Sequence, residues 1–290
     1  MKFNTKSLGG LALLCLSLTS QAEILPVAEI GVKIPLIKKP TTRPMTMAYL
    51  PSTQHYYIAD GGLAPMGSEF EAPISKSEVH AYTATGQYIN SAKPGFDNRS
   101  LYFNANSGKL ETITYNISSA AGFLPNTGIF SLDVNEKGEV LTTSSDISQF
   151  NPAFGDAGTM PSYDPASKHY YAKQERSNLV YVVDAKQREK LAEIKLDFAK
   201  AQVAHDDVSD HFIAFTGVAG NELALLDVDH KTVLIFDLNG QLAGKSALPA
   251  TMKLRSQNHF NGAGYSNGML FVYHENEGEF GTYYGFKVVQ

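Results

Sequence analysis

The chain repeats itself about every 50 residues, and that period constrains its fold more than any other feature. An apolar residue just before a polar turn recurs as Tyr82 in VHAYTATGQYI, Leu132 in IFSLDVNEKGEV, Val183 in LVYVVDAKQREK, Phe236 in VLIFDLNGQLA and Phe286 in YYGFKVV. The separations are 50, 51, 53 and 50 residues. A near-constant period of this length marks stacked supersecondary units rather than one open sheet. Asp133, Asp184 and Asp237 take the next position in three copies, Thr83 and Lys287 in the others. Each unit has room for four short strands, the content of a propeller blade.

The clearest copy is LVYVVDAKQREKLAEIKL, residues 179–196. Leu179 to Val183 is a continuous β-branched and aromatic run that fits a strand covered on both faces. Lys186 to Lys190 reads as a solvated turn. Ala192, Ile194 and Leu196 then alternate with Glu193 and Lys195 at strand period. Leu191, Ile194 and Phe198 also fit a helix face, but the recurrence of the register favours the hairpin. Residues 27–37 read as one strand without a neighbour, with Ala28, Ile30, Val32, Ile34 and Leu36 on one face. The last unit ends after its third strand, so this N-terminal strand is expected to supply the fourth and leave no open edge. The fold class predicted is all-β: a β-propeller of five four-stranded blades, the ring closed by the N-terminal strand.

The start of the chain has the form of a secretory signal: Lys2 and Lys6, an apolar run from Leu8 to Leu18, then Ser20-Gln21-Ala22. Residues 1–22 are read as that signal and 23–290 as a single propeller domain, so a periplasmic or secreted protein is expected. Leu14 precedes Cys15, where a lipid-modified signal wants a small residue. Cys15 is the only cysteine, so the mature chain has no disulfide, thiol nucleophile or cysteine metal site. The formal net charge of −5 becomes −7 on cleavage, because the first 22 residues carry two lysines and no acid. An acidic chain without a basic cluster argues against nucleic acid as a partner, and no later segment is apolar enough for membrane insertion.

Unit three carries a resemblance to a known family. Asp164-Pro165, Tyr170-Tyr171, Tyr181 to Asp184 and Ile194 are similar to a YVTN-type propeller repeat, and the other units are similar more loosely. The resemblance implies an exported propeller, often a binding or surface protein, and brings no catalytic set.

Two motifs are weighed and set aside. Gly264-Tyr265-Ser266-Asn267-Gly268 matches a nucleophile elbow, but it falls where other units have a strand-to-strand turn. Asp133-Val-Asn135-Glu-Lys137-Gly138 opens like a calcium loop, yet position twelve would be Ser144 rather than Glu. Asp227, Asp229 and His230 read as a polar turn.

The longer connections, 61–78, 117–128, 145–160, 197–207 and 248–261, all map to one end of the ring. Unequal loop length on one face is the mark of a site. Expected there as binding residues are Arg99, His205, Asp206, His259, Asn261, His274 and Glu275, with Phe150 and Phe154 as apolar contacts beside Phe70 and Phe123. Gln174 ends a second strand on the same side. The function this implies is binding of an unidentified protein or small-molecule ligand. The alternative is a propeller hydrolase or lactonase with calcium or another divalent cation in the central channel, for which Asp60, Asn116, Asp206, Asn261 and Glu275 are the candidate ligands. Nothing in the sequence identifies a catalytic residue.

Overall fold

The computed structural model describes residues 22–40, 43–61, 77–95, 98–114, 117–118, 122–123, 128–149, 152–156, 158–255, 261–275 and 277–290. After β1 (Ile24–Pro35), the strands β2 (Arg43–Leu50), β3 (His55–Gly61), β4 (Glu78–Thr83) and β5 (Tyr88–Ala92) form one antiparallel sheet in chain order. The strands β6 (Ser100–Asn104), β7 (Lys109–Thr114), β10 (Gly128–Val134) and β11 (Val140–Gln149) form the next, with a two-stranded insert of β8 (Ile117–Ser118) and β9 (Gly122–Phe123). A third sheet holds β12 (Ser162–Asp164), β13 (His169–Lys173), β14 (Leu179–Asp184) and β15 (Lys190–Lys195). The short helix α1 (Phe198–Ala201) follows, capped by the Asp197 side chain. An eight-stranded sheet takes the rest: β16 (Ala214–Phe215), β17 (Leu223–Asp227), β18 (Thr232–Phe236) and β19 (Leu242–Ala247), then β1, and beyond it β22 (Thr282–Val289), β21 (Met269–His274) and β20 (Ala263–Ser266).

The first strands β2, β6, β12, β16 and β20 neighbour one another in a closed ring: β2 meets β6, β6 meets β12, β12 meets β16, β16 meets β20, and β20 returns to β2. A hydroxyl crosses each of these junctions. Thr46 Oγ1 accepts from Leu101 N at 2.6 Å and donates to Arg99 O at 3.2 Å. Ser100 donates to Pro161 O, and Ser162 accepts from Phe215 N. Ser209 donates to Asn261 O, and Ser266 accepts from Tyr49 N. Short inner strands leave backbone groups facing the axis, and buried groups of that kind need partners. A hydroxyl both donates and accepts, so one side chain can serve either need.

The apolar core lies between the faces of adjacent sheets. The recurring positions Tyr82, Leu132, Val183, Phe236 and Phe286 are all buried on third strands. Beside four of them the next strand outward carries one extra residue: Ile89 opposite Tyr82, Leu191 opposite Val183, Ala243 opposite Phe236, and Gly31 opposite Phe286. This bulge explains a departure from the expected β1 pattern. It interrupts the alternation, so Ile30 is 46% exposed while Ile34 is fully buried, and the five apolar residues do not share one face. A Cβ at Gly31 would fall 2.5 Å from Met269 Sδ, so a larger residue at the bulge would require the Met269 side chain to move.

Turn chemistry repeats as well. Thr83, Asn135 and Asp237 each accept, through a side-chain oxygen, from the backbone N–H four residues on: Gln87, Glu139 and Gln241. In each turn the intervening glycine (Gly86, Gly138 or Gly240) has φ near +80°. The turn residue of the second unit is therefore Asn135, not Asp133, which the sequence repeat aligned. Asn135 Oδ1 is spent on Lys137 N and Glu139 N, as a turn requires. Ser266 also stands at a strand-to-strand turn, and Asp227 caps the next turn by accepting from His230 N. Three of the expected long connections carry more structure than a loop: β8 and β9 stand within 117–128, β11 runs through residue 149, and α1 occupies part of 197–207.

Candidate functional site

The second-to-third strand connections and the sheet-to-sheet connections share one end of the ring, called here the long-loop end. There the first sheet buries three ionisable side chains together. Asp60 and Glu78 are Cα partners across β3 and β4, and His80 lies two residues beyond Glu78 on the same face of β4. Their exposures are 0%, 6% and 2%. His80 Nε2 is 3.0 Å from Asp60 Oδ2, and His80 Nδ1 is 2.6 Å from Ser91 Oγ on β5. Tyr88 OH lies 3.0 Å from the same Ser91 oxygen. Lys38 Nζ reaches the two Glu78 oxygens at 3.2 and 3.0 Å. Ser77 Oγ donates to Asp60 O and accepts from Asn98 N and Nδ2, fixing the backbone beneath the group.

Burying charge is expensive unless it is paired and hydrogen-bonded. This set answers that cost with a chain, Tyr88–Ser91–His80–Asp60, and an ion pair, Lys38–Glu78. Carboxylate, imidazole and hydroxyl in series is also the connectivity of an activated serine. Here the imidazole is closed off and the hydroxyl is shared with Tyr88, so the series orients His80. Sequence reasoning found Asp60 but missed Glu78, His80 and Ser91. The alternation E-V-H on a strand beside a partner aspartate was the available signal, and only the β3–β4 register could reveal it.

A second group lies at the same end between the third and fourth units. Glu175, Asp210 and His211 place ligand-capable atoms within 4.8 Å of one another. Asp156 accepts from Glu175 N, Asp210 accepts from Arg176 N, and His211 Nδ1 meets Gly158 O. A carbonyl can only accept, so His211 Nδ1 carries the proton. Beneath them Lys173 is wholly buried, its ammonium donating to Gln174 O, Ser177 O and Asp210 O. Burial pulls its pKa down to about 8, against the nearby charges of Asp210, Asp156 and Glu175.

The other expected residues are distributed unevenly. His205 and Asp206 are exposed beside this second group; His205 lies against Phe198, and Asp206 is 3.9 Å from Arg176. Glu275 is exposed, and its N–H donates to Lys253 O. Arg99 is half-buried next to the Thr46 junction. Asn261 is buried, and its amide pairs with both backbone groups of Arg255. His274 is buried 3.2 Å from Glu277; burial lowers its pKa and Glu277 opposes the shift. Phe154, expected as an apolar contact for a ligand, is in the core edge-on to Tyr170, held by Gln174 Nε2 bonding its carbonyl. His259, Asn116, Phe70 and Phe150, and the side chain of Phe123, lie outside the described residues.

The cavity bounded by Thr46, Ser100, Ser162, Ile213 and Ser266 measures about 30 Å³, room for one water. Two broader grooves open at the opposite end, about 450 Å³ beside Thr53 and Asn135 and about 610 Å³ beside Tyr163 and Tyr265. Both lie between turns, and neither has a buried ionisable cluster in its lining.

No protein-family model matches the chain, and no curated protein does. Solved structures do. The tail fiber of Staphylococcus aureus phage P68 is similar over 89% of this chain and 52% of its own, at 13% identity and a TM-score of 0.50. The Cps50 (Swd1) β-propeller domain of Myceliophteria thermophila is similar over 90% of this chain and 99% of its own, at 11% identity and a TM-score of 0.43. The chain thus spans about half the length of the tail-fiber protein. Likeness at such identities speaks to fold alone. The fold is all-β, and the closed ring of its first strands gives it a propeller-like arrangement.

Proposed function

We propose that this is an exported five-bladed propeller of YVTN-like repeats that binds a ligand or protein partner through its long-loop end. The eight-stranded sheet counts as two blades in this reading, because β1 and β19 meet at one parallel pair, Val27 with Ala247, at their outer edges. Export to the periplasm or beyond rests on the signal-like start and the cysteine-free remainder. The observation that carries binding is that this end holds two close-set groups of ionisable side chains, Asp60–Glu78–His80 and Glu175–Asp210–His211, with Arg176, His205 and Asp206 exposed beside the second. Rigid scaffolds present functional side chains on such connections. The hydrolase with a channel cation is the weaker reading, since its carboxylate candidates Asp60, Asp206 and Glu275 do not meet in one cluster among the described residues.

The test is recovery of partners from the exported fraction by the tagged full chain, whose mass should correspond to a start at Glu23. Arg176→Ala/His205→Ala should lose partner recovery with the melting temperature nearly unchanged, because exposed truncations usually stay within about 0.5 kcal/mol. Lys186→Ala/Arg188→Ala, at the opposite end, should keep it. Equal recovery from both double variants rejects the long-loop end as the binding surface.

A further inference from the structure

We propose that Asp60, Glu78 and His80 form a binding site for a zinc-class divalent cation within the first sheet. The site goes beyond the partner-binding reading and does not depend on it. One imidazole and two carboxylates, their ligand atoms all within 4.8 Å of one another, stand on two adjacent strands in direct register. Rigid strands hold such sets more precisely than loops do. Three protein ligands that include a histidine suit zinc and its neighbours in the transition series, whereas calcium asks for six to eight oxygens.

The distances require little movement. Zn–N and Zn–O bonds of about 2.0–2.2 Å at a tetrahedral angle put the two ligand atoms about 3.4 Å apart. His80 Nε2 and Asp60 Oδ2 are 3.0 Å apart, so the pair opens by a few tenths of an ångström. Glu78 is poised for a cation by its own bonding. Its Oε2 is buried and accepts no well-aligned hydrogen bond among the described residues, although Lys38 Nζ lies 3.0 Å away. A buried carboxylate oxygen in that state is costly, and a cation between it and His80 would satisfy it.

The surrounding shell suits a ligating histidine. Such a residue usually donates its second N–H to an oxygen, which fixes the ring and its tautomer. His80 Nδ1 has Ser91 Oγ at 2.6 Å. Either Ser91 or Tyr88 can be the donor in the hydroxyl pair, so both can reverse when the imidazole proton moves from Nε2 to Nδ1 by exchange with solvent and Nε2 takes the metal. The ring stays neutral through that switch, and the Asp60 and Glu78 carboxylates supply the charge that balances the cation. Lys38 is the internal competitor, because its ammonium already occupies the Glu78 side of the site.

The full mature chain, stripped with a chelator, is titrated with Zn²⁺ and Co²⁺ and followed by calorimetry, melting temperature and visible absorption. One equivalent should bind, raise the melting temperature and give Co²⁺ a low-symmetry d–d band. Asp60→Asn or His80→Gln should weaken binding at least a hundredfold. Lys38→Met, which changes a partly exposed side chain and is not expected to impair folding, should tighten it severalfold. Glu175→Gln/Asp210→Asn should leave it unchanged. The proposal is overturned if the wild type binds no equivalent, if Lys38→Met binds no tighter, or if the bound equivalent disappears with Glu175 and Asp210 instead. None of these readouts involves the partner, so a failed pull-down and a failed titration are distinct results.

Discussion

Lys173 is the residue with the clearest energetic signature. Its ammonium sits where water does not reach, and three backbone carbonyls receive it. Desolvation outweighs the acids around it and lowers its pKa from 10.5 to about 8. Between those two values the unfolded chain holds more protons than the folded one, so this residue makes stability rise with pH, by up to about 1.4 kcal/mol per pH unit. Below pH 8 both states are protonated and the penalty is constant. Tyrosines such as Tyr82, raised to about 12 by burial, oppose the trend above pH 10, where unfolded phenols ionise. Subtracting the Lys173→Met variant removes their contribution. Denaturation at pH 7.5, 8.5 and 9.5 should show the wild-type-minus-variant difference moving in favour of the wild type; a flat difference would mean that the ammonium survives in the fold. The sequence offered no hint of this lysine's place, since H-Y-Y-A-K reads equally well with an exposed end.

At the scale of elements, β1 decides whether the ring closes. It pairs antiparallel with β22 from Ile24–Val289 to Pro35–Thr282, and its bulge at Gly31 falls where β5, β15 and β19 carry theirs. A strand from the start of the chain thus completes the unit that ends it. Ile34 and Leu36, both buried, are worth about 1.5–3 kcal/mol each. Deleting 23–36 should therefore cost at least about 3–6 kcal/mol and expose the β22 edge. Urea unfolding of the truncated chain checks this, and a midpoint equal to that of the mature chain would contradict it. The pairing was legible in the sequence from the missing fourth strand of the last unit. The bulge was not, because an extra residue in one strand has meaning only against its neighbour.

For the whole molecule, the five hydroxyl junctions hold the inner ring. Thr46 is the most heavily used, bonding to both Leu101 N and Arg99 O. Thr46→Val keeps the shape and removes the oxygen, leaving Leu101 N buried without its acceptor. The expected loss is about 1–3 kcal/mol, and Thr46→Ser should restore most of it. Chemical denaturation of the two variants decides the matter: equal loss from both would assign the effect to packing rather than to the hydrogen bond.

The sequence by itself determined the period, the third-strand core positions and the polar turns, because local β-propensity, alternation and turn chemistry are written residue by residue. It also determined that β1 should be the missing strand, since an unfilled place in a repeat is visible in one dimension. Only the tertiary structure decided which polar residues meet. Asp60 and His80 are twenty positions apart and become neighbours through the β3–β4 register, while Phe154 and Asn261, equally plausible as site residues, turn inward to satisfy the core and the backbone. Proximity across strands and burial at a sheet interface are properties of the assembled ring, and no local pattern in the chain encodes them.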